Sequence, residues 1–247
     1  MSVAVRLLAL ALFSTPAFAS TVRLTTSDRV SIVGELDGMG DHGVLVVHDN
    51  AQDHTSVVEL TRAFSEAHMK VLAIDLRGHG GSKGTADPLA STKDLAAGID
   101  YLRKQGAKQV SIVGVSLGGN LAFQAASGDP AVANVVMISP ALNHDGVKAS
   151  AALAGYGPRP VLMIVGSDDP LGMKAADLLG DRLPGATVEV MMANGSGTTL
   201  VKRATDLPEV VINWLTDIHA TMSAKQKADL STSNEKLETS GTKLGER

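Results

Sequence analysis

Cysteine is absent from this chain of 247 residues. Disulfides, thiolate nucleophiles, cysteine-held zinc and iron–sulfur clusters are therefore excluded. Aromatic residues are scarce at 3%, with a single Trp, so stacking on sugars or bases is not a theme. Excess charge is lacking too: a formal charge of −4 offers no broad attraction to nucleic acid or anionic lipid. The glycines from Gly78 to Gly84 lack the Gly-Lys-Ser/Thr ending of a phosphate loop. The histidines are scattered, without the carboxylate spacing of a metal site. No cofactor and no metal are expected. What remains is an ordinary apolar share, 44%, enough for the core of one folded domain and too much for wholesale disorder.

The two ends differ from the middle. Arg6 precedes the apolar run Leu7 to Phe13, Pro16 breaks that run, and Ala17-Phe18-Ala19 supplies the small residues of a cleavage site. Residues 1–19 thus read as a signal peptide, with an exported, periplasmic or secreted product. The run is far shorter than the roughly 20 residues that span a bilayer, and no later stretch is long enough, so no stable membrane insertion is expected after its removal. Residues 223–247 are Ser, Thr, Lys, Glu, Gly and Asn with little to bury, and read as a polar, disordered tail with transient helix at most. The folded domain is expected over 20–222. Nothing in the sequence identifies a protein partner.

Between the ends the pattern alternates. Thr21 to Thr26 and Val30 to Leu36 suit two antiparallel strands. Short, nearly unbroken apolar runs follow at Val44–Val47, Val71–Ile74, Val110–Val113, Val135–Ile138 and Val161–Val165, with a weaker one at Thr187–Met192. Such runs suit strands buried on both faces. The segments between have helical spacing: Ser56 to Glu59 reads as a capping box, Asp94 to Arg103 places Leu95, Ile99 and Leu102 on one stripe, and Pro208 to Ile218 does likewise. The fold class is α/β, with a mostly parallel sheet of about eight strands covered by helices on both faces. In that architecture ligands sit at the carboxyl ends of the strands.

The strongest functional signal lies at one such end. Gly114-Val115-Ser116-Leu117-Gly118-Gly119 follows one strand run and precedes the helical stretch Leu121 to Ala126. A serine on a sharp strand-to-helix turn presents its hydroxyl to a cleft. The helix after it aims its positive end, and the N–H of Leu117, at developing negative charge.

Here the chain resembles the α/β-hydrolase family, over roughly Thr21 to Ala220. His48-Asp49-Asn50 stands where the family has His-Gly plus one residue, so the resemblance gives Asn50 N–H the second half of the oxyanion hole. Asp75-Leu76-Arg77-Gly78-His79-Gly80-Gly81-Ser82 matches a family loop whose His and Arg are structural. Gly166-Ser167-Asp168-Asp169-Pro170 is similar to the family's acid turn, which assigns the triad acid to Asp169, with Asp168 as the alternative. Taken alone, an Asp before Pro is only a turn residue.

The resemblance stops at the base. Where the family has a histidine after the last strand, this chain reads Ala193-Asn194-Gly195-Ser196-Gly197-Thr198-Thr199-Leu200, as if His-Gly had been removed after Gly197. His219 lies well along a helix and does not fit the role. His42, His48, His54, His68, His79 and His144 each have a simpler structural or surface reading, and the catalytic base stays unknown. Two functions remain. One is a secreted serine hydrolase of small carboxylic esters or related acyl compounds, slow, with an acyl-enzyme on Ser116. The other is a pseudo-hydrolase that serves as a binding or scaffold module. Ser139 to Pro160 leaves no room for a large lid domain, so the site should be open and shallow.

Overall fold

The structure, a computed structural model, describes residues 19–242. The expected signal peptide therefore lies outside the described residues except for Ala19. The chain begins with two antiparallel strands, β1 (Ser20–Thr25) and β2 (Ser31–Asp37). Next come β3 (His42–Val47), a 3-10 turn at His54–Val57, α1 (Val58–Glu66), β4 (Lys70–Ile74), α2 (Thr92–Lys104) and β5 (Gln109–Val115). They are followed by α3 (Leu117–Gly128), β6 (Val132–Ile138), a two-residue hairpin β7 (Asn143–His144) and β8 (Val147–Lys148), and α4 (Leu153–Tyr156). The last elements are β9 (Val161–Gly166), α5 (Pro170–Gly180), β10 (Ala186–Met191), α6 (Gly197–Arg203) and α7 (Leu207–Thr242).

Eight strands form one sheet in the order β1-β2-β4-β3-β5-β6-β9-β10. The β1–β2 and β2–β4 pairs are antiparallel and every later pair is parallel. Each of the five stronger apolar runs became an inner strand because its alternate residues enter two different cores, whereas the weaker run at Thr187–Met192 became the exposed edge strand β10. Val44, Val46, Val113, Val115, Val136 and Ile138 pack under α1, α6 and α7. Leu45, Val47, Ile112, Val135, Met137 and Met163 pack under α2 and α3 on the other face. From β3 the chain crosses to β4 on one side and then to β5 on the other. This opens a crevice at the carboxyl ends of β3 and β5, the expected place for a ligand. Only a hairpin and short helical turns lie between β6 and β9, so no large lid is present among the described residues.

Two expectations are corrected. The helix opened by the supposed Ser56–Glu59 capping box is capped earlier: Asp53 accepts the Thr55 N–H at 2.9 Å, and the chain makes a 3-10 turn before α1. The expected unstructured tail from 223 is helical in backbone as far as Thr242, since α7 continues through a stretch that no proline interrupts. Among the described residues no helix is long and apolar enough to cross a membrane.

The docking of α7 carries a titration. The His219 ring on α7 stacks on His42 at the start of β3, with centroids 4.7 Å apart and planes within 5°. His42 Nε2 lies 2.7 Å from the buried Ser111 hydroxyl, and His219 Nδ1 lies 2.8 Å from Gln109 Oε1. Burial, then the neighbouring His219, lowers the His42 pKa to about 4, with Asp41 opposing weakly. Asp41 is itself paired with Lys108 at 3.1 Å. Because the folded state holds His42 neutral while the unfolded chain protonates it near 6.5, its contribution is full above about pH 6.5. That contribution is lost as pH falls toward about 4, and amounts to about 3 kcal/mol over the window. His48, held low chiefly by burial, acts in the same direction. Urea unfolding at pH 7 and pH 4.5 should show this acid loss, and His42→Gln should reduce the difference without abolishing it.

Candidate active site

Ser116 joins β5 to α3 with φ 52° and ψ −111°, a left-handed conformation that a serine adopts only under constraint. The constraint is visible. Its N–H donates to the Ile138 carbonyl at 2.8 Å, and its carbonyl accepts the Gly119 and Asn120 N–H groups at 3.0 and 3.2 Å. The flanking glycines are required by close backbone approach. A Cβ on Gly114 would lie 2.2 Å from the Gly118 carbonyl oxygen, and one on Gly118 would lie 2.5 Å from that of Val47. Ser116 remains half-buried at the crevice, and Leu117, the first residue of α3, has no intrahelical acceptor for its N–H. The turn thus has the nucleophile-elbow shape that the motif implies.

The second expected oxyanion donor is not free. Asn50 lies at the rim beside Ser116's crevice, but its N–H donates to its neighbour Asp49 Oδ1 at 2.7 Å. Its side-chain amide donates to Asp145 Oδ2 at 2.7 Å, in the turn between β7 and β8. The physical cause is the carboxylate at 49, in a position where the family's glycine has no side chain to compete for that N–H.

The acid turn divides its two aspartates. Asp169 Oδ1 accepts the Gly172 N–H at 2.8 Å and caps α5, with Pro170 in the first turn. The exposed Asp168 instead accepts the Gly195 N–H at 2.6 Å, so Asp168 is the carboxylate that reaches the loop after β10. That loop closes on the serine itself. Gly197, at φ +52°, is placed so that a Cβ there would lie 3.4 Å from Ser116 Cβ and 2.4 Å from Asp49 Oδ2. Its N–H donates to the hydroxyl of buried Ser139 at 2.9 Å. Ser139, also left-handed at φ 52° just after β6, thereby joins the loop that closes on Ser116, a position with no place among the site residues expected from the sequence. The Ser139-Pro140 pair after a buried run was the available signal.

The histidines are engaged elsewhere. His48 is fully buried, with Nδ1 2.7 Å from the Asp49 carbonyl and Nε2 accepting the Leu76 N–H at 3.0 Å. His79 Nδ1 lies 3.0 Å from the Arg77 carbonyl, and His144 Nδ1 3.3 Å from Asp145. His42 and His219 stand at the amino ends of β3 and β5, the opposite end of the sheet from Ser116. Among the described residues, no imidazole is hydrogen-bonded to the Ser116 hydroxyl. One convergence escaped the sequence reading: Asp53, His54 and Asp75 bring three potential metal-ligand atoms within 4.8 Å of one another. Hydrogen bonds account for the grouping. Asp75 Oδ1 takes the His54 N–H at 2.8 Å and lies 2.7 Å from Nδ1, while Oδ2 takes the Gly81 N–H at 2.7 Å.

Residues 41–158 match the family described as serine aminopeptidase, S33. No curated protein matches the chain. Its solved structural neighbours include an esterase of Pyrococcus furiosus, 19% identical with a TM-score of 0.68, over 82% of this chain and 89% of that one. An esterase of Exiguobacterium antarcticum is 15% identical with a TM-score of 0.64, over 80% of this chain and 100% of its own. A thermophilic esterase of Thermogutta terrifontis, with malate bound, is 18% identical at a TM-score of 0.64, covering 81% and 100%. With an eight-stranded sheet of this order and a serine elbow at its crevice, the chain has the α/β-hydrolase fold.

Proposed function

We propose that the chain is an exported serine hydrolase acting on small carboxylic esters or related acyl compounds through an acyl-enzyme on Ser116. The observation that carries this reading is the constrained, half-buried Ser116 at the head of α3. A left-handed serine costs on the order of 1–3 kcal/mol, which packing elsewhere must offset. That cost is unnecessary for an ordinary turn and useful for presenting a hydroxyl. Small esters fit the crevice because the described residues include no lid domain to enclose it and because three of its structural neighbours are esterases. The Leu117 N–H and the positive end of α3 would hold the oxyanion. Asp168, which touches the loop after β10, takes the acid's place over Asp169.

The rate should be low. A serine hydroxyl needs a proton acceptor, and removing the histidine from a working triad costs on the order of 10⁶ in turnover. Activated esters are therefore the suitable substrates. The mature domain should hydrolyse 4-nitrophenyl acetate above background, and Ser116→Ala should fall to background. A fluorophosphonate should label the wild-type chain and not the variant. Equal rates for the two proteins would end this reading.

One observation favours the alternative, a binding module without turnover: Asn50 N–H is already held by Asp49. The same assay separates the two.

A further inference from the structure

We infer that Asp49 is the proton acceptor for Ser116, a catalytic carboxylate in the place where the family has a glycine. This rests on the hydrolase reading above. The position a Cβ on Gly197 would take lies 2.4 Å from Asp49 Oδ2 and 3.4 Å from Ser116 Cβ, so the carboxylate and the serine border one small space. The two carboxylate oxygens have different partners. Oδ1 is fixed by the Asn50 N–H at 2.7 Å, whereas among the described residues Oδ2 has only the Thr198 hydroxyl at 3.5 Å and keeps a lone pair for the cleft. Rotation of the Ser116 side chain or one intervening water spans the remaining gap, as is usual for a base before substrate arrives.

The charge balance favours this assignment over a passive carboxylate. A fixed negative charge beside Ser116 would oppose a developing oxyanion. If Asp49 takes the serine proton, it becomes neutral as the oxyanion forms, and the site carries one negative charge throughout. As Oγ bonds to the acyl carbon, its proton moves to Asp49 Oδ2. The tetrahedral anion, held by Leu117 N–H, then breaks its bond to the alcohol oxygen, which leaves with the proton from Asp49. Water next attacks the acyl-enzyme and gives a proton to Asp49. Collapse releases the carboxylic acid, and the proton returns to Ser116 Oγ. The sum is ester plus water to acid plus alcohol.

The test is Asp49→Asn, which retains an oxygen for the Asn50 N–H, assayed beside Asp49→Gly and Ser116→Ala on 4-nitrophenyl acetate from pH 5 to 8. Ser116→Ala rates are subtracted, and circular dichroism checks the fold at each pH. A general base contributes about 10²–10⁴-fold, so Asp49→Asn should lower kcat/KM and the rate of fluorophosphonate labelling at least about 100-fold. Asp49→Gly should fall as far, and the wild-type profile should show no step near 6.5, where a free imidazole titrates. Three results would overturn the assignment: activity within threefold of wild type in Asp49→Asn, a gain in Asp49→Gly as its Asn50 N–H is released, or a midpoint near 6.5 that marks an imidazole. Each leaves the Ser116 reading intact provided Ser116→Ala is inert. Activity that survives Ser116→Ala, or a wild-type chain that neither turns over nor labels, overturns both.

Discussion

Arg77→Met will lower the unfolding free energy by about 3–5 kcal/mol, because it leaves a buried carboxylate without its partner. Arg77 is 5% exposed and Asp94 0%, and they share a forked contact of 2.7 Å from Nη2 and 3.0 Å from Nε to Oδ1. The Arg77 N–H adds a 2.9 Å bond to Asp94 Oδ2. Burial works against the guanidinium's charge, but the bonds it donates to Asp94 and Asp28 more than restore it, and its pKa lies above the usual value. Asp28, on the outer side of the same guanidinium, is held well below the carboxylate range by Arg77 and then by Thr26. Its side chain is 30% exposed, so Asp28→Asn should cost much less than Arg77→Met. Two further results would identify unpaired charge as the cause. Arg77→Met/Asp94→Leu should recover a large part of the loss in urea unfolding. Relative to wild type, the single variant's deficit should shrink as pH falls: burial raises the Asp94 pKa, and protonation removes the charge that burial penalises. A double variant as unstable as the single would instead point to lost packing by the arginine stem.

This ion-pair cluster also shows which parts of the molecule could be read in advance. The loop from Asp75 to Ser82 was legible as structural because its residue types, taken together, match a family pattern; Asp94, in a helix of another segment, carried no sign that it was the partner. The inner strands were legible because burial on both faces demands unbroken apolar runs, and Val44–Val47 or Val161–Val165 can do little else. The elbow was legible because glycine is the only residue that tolerates backbone at the distances found around Gly114 and Gly118. Legibility failed where short-range hydrogen bonds compete. Asp169 before Pro170 is a helix cap by local chemistry, and that chemistry, present in the sequence, leaves Asp168 to face the neighbouring loop. Asn50 was given an oxyanion role from its position alone, but the side chain one residue earlier decides whether its N–H is available. Ser139 and Gly197 were unreadable as site residues for a different reason. They lie 58 positions apart and meet only because β6 and the loop after β10 end over the same crevice. A single sequence has no local signal for such a meeting.

Gly118→Ala will both destabilise the fold and disable the elbow, and comparison with Gly128→Ala will show that the cause is position. The methyl carbon added at Gly118 would lie 2.5 Å from the Val47 carbonyl oxygen and 2.6 Å from that of His48. Both are backbone atoms at the end of β3, tied into a sheet with parallel neighbours on each side, so they cannot turn aside as a flexible side chain would. The first turn of α3 must lift from the strand instead. Overpacking of this kind costs about 3 kcal/mol. For a domain of this length that corresponds to roughly 6–12 °C in Tm. The functional loss should exceed what the population of folded chain explains, since lifting α3 shifts the Leu117 N–H and the Ser116 hydroxyl away from Asp49 and Gly197. Fluorophosphonate labelling at 20 °C, where the variant is still folded, isolates that loss. Gly128, the last residue of the same helix, has no atom within 4 Å of where a Cβ would stand, and its φ is not left-handed. Gly128→Ala should therefore leave labelling unchanged and keep or slightly raise Tm, because alanine restricts the unfolded chain and favours helix by up to about 1 kcal/mol. If Gly118→Ala melts and labels like the wild type, the close packing of α3 against β3 does not hold Ser116 in place, and the constraint on the nucleophile must be sought in the backbone bonds of Ser116 with Ile138, Gly119 and Asn120.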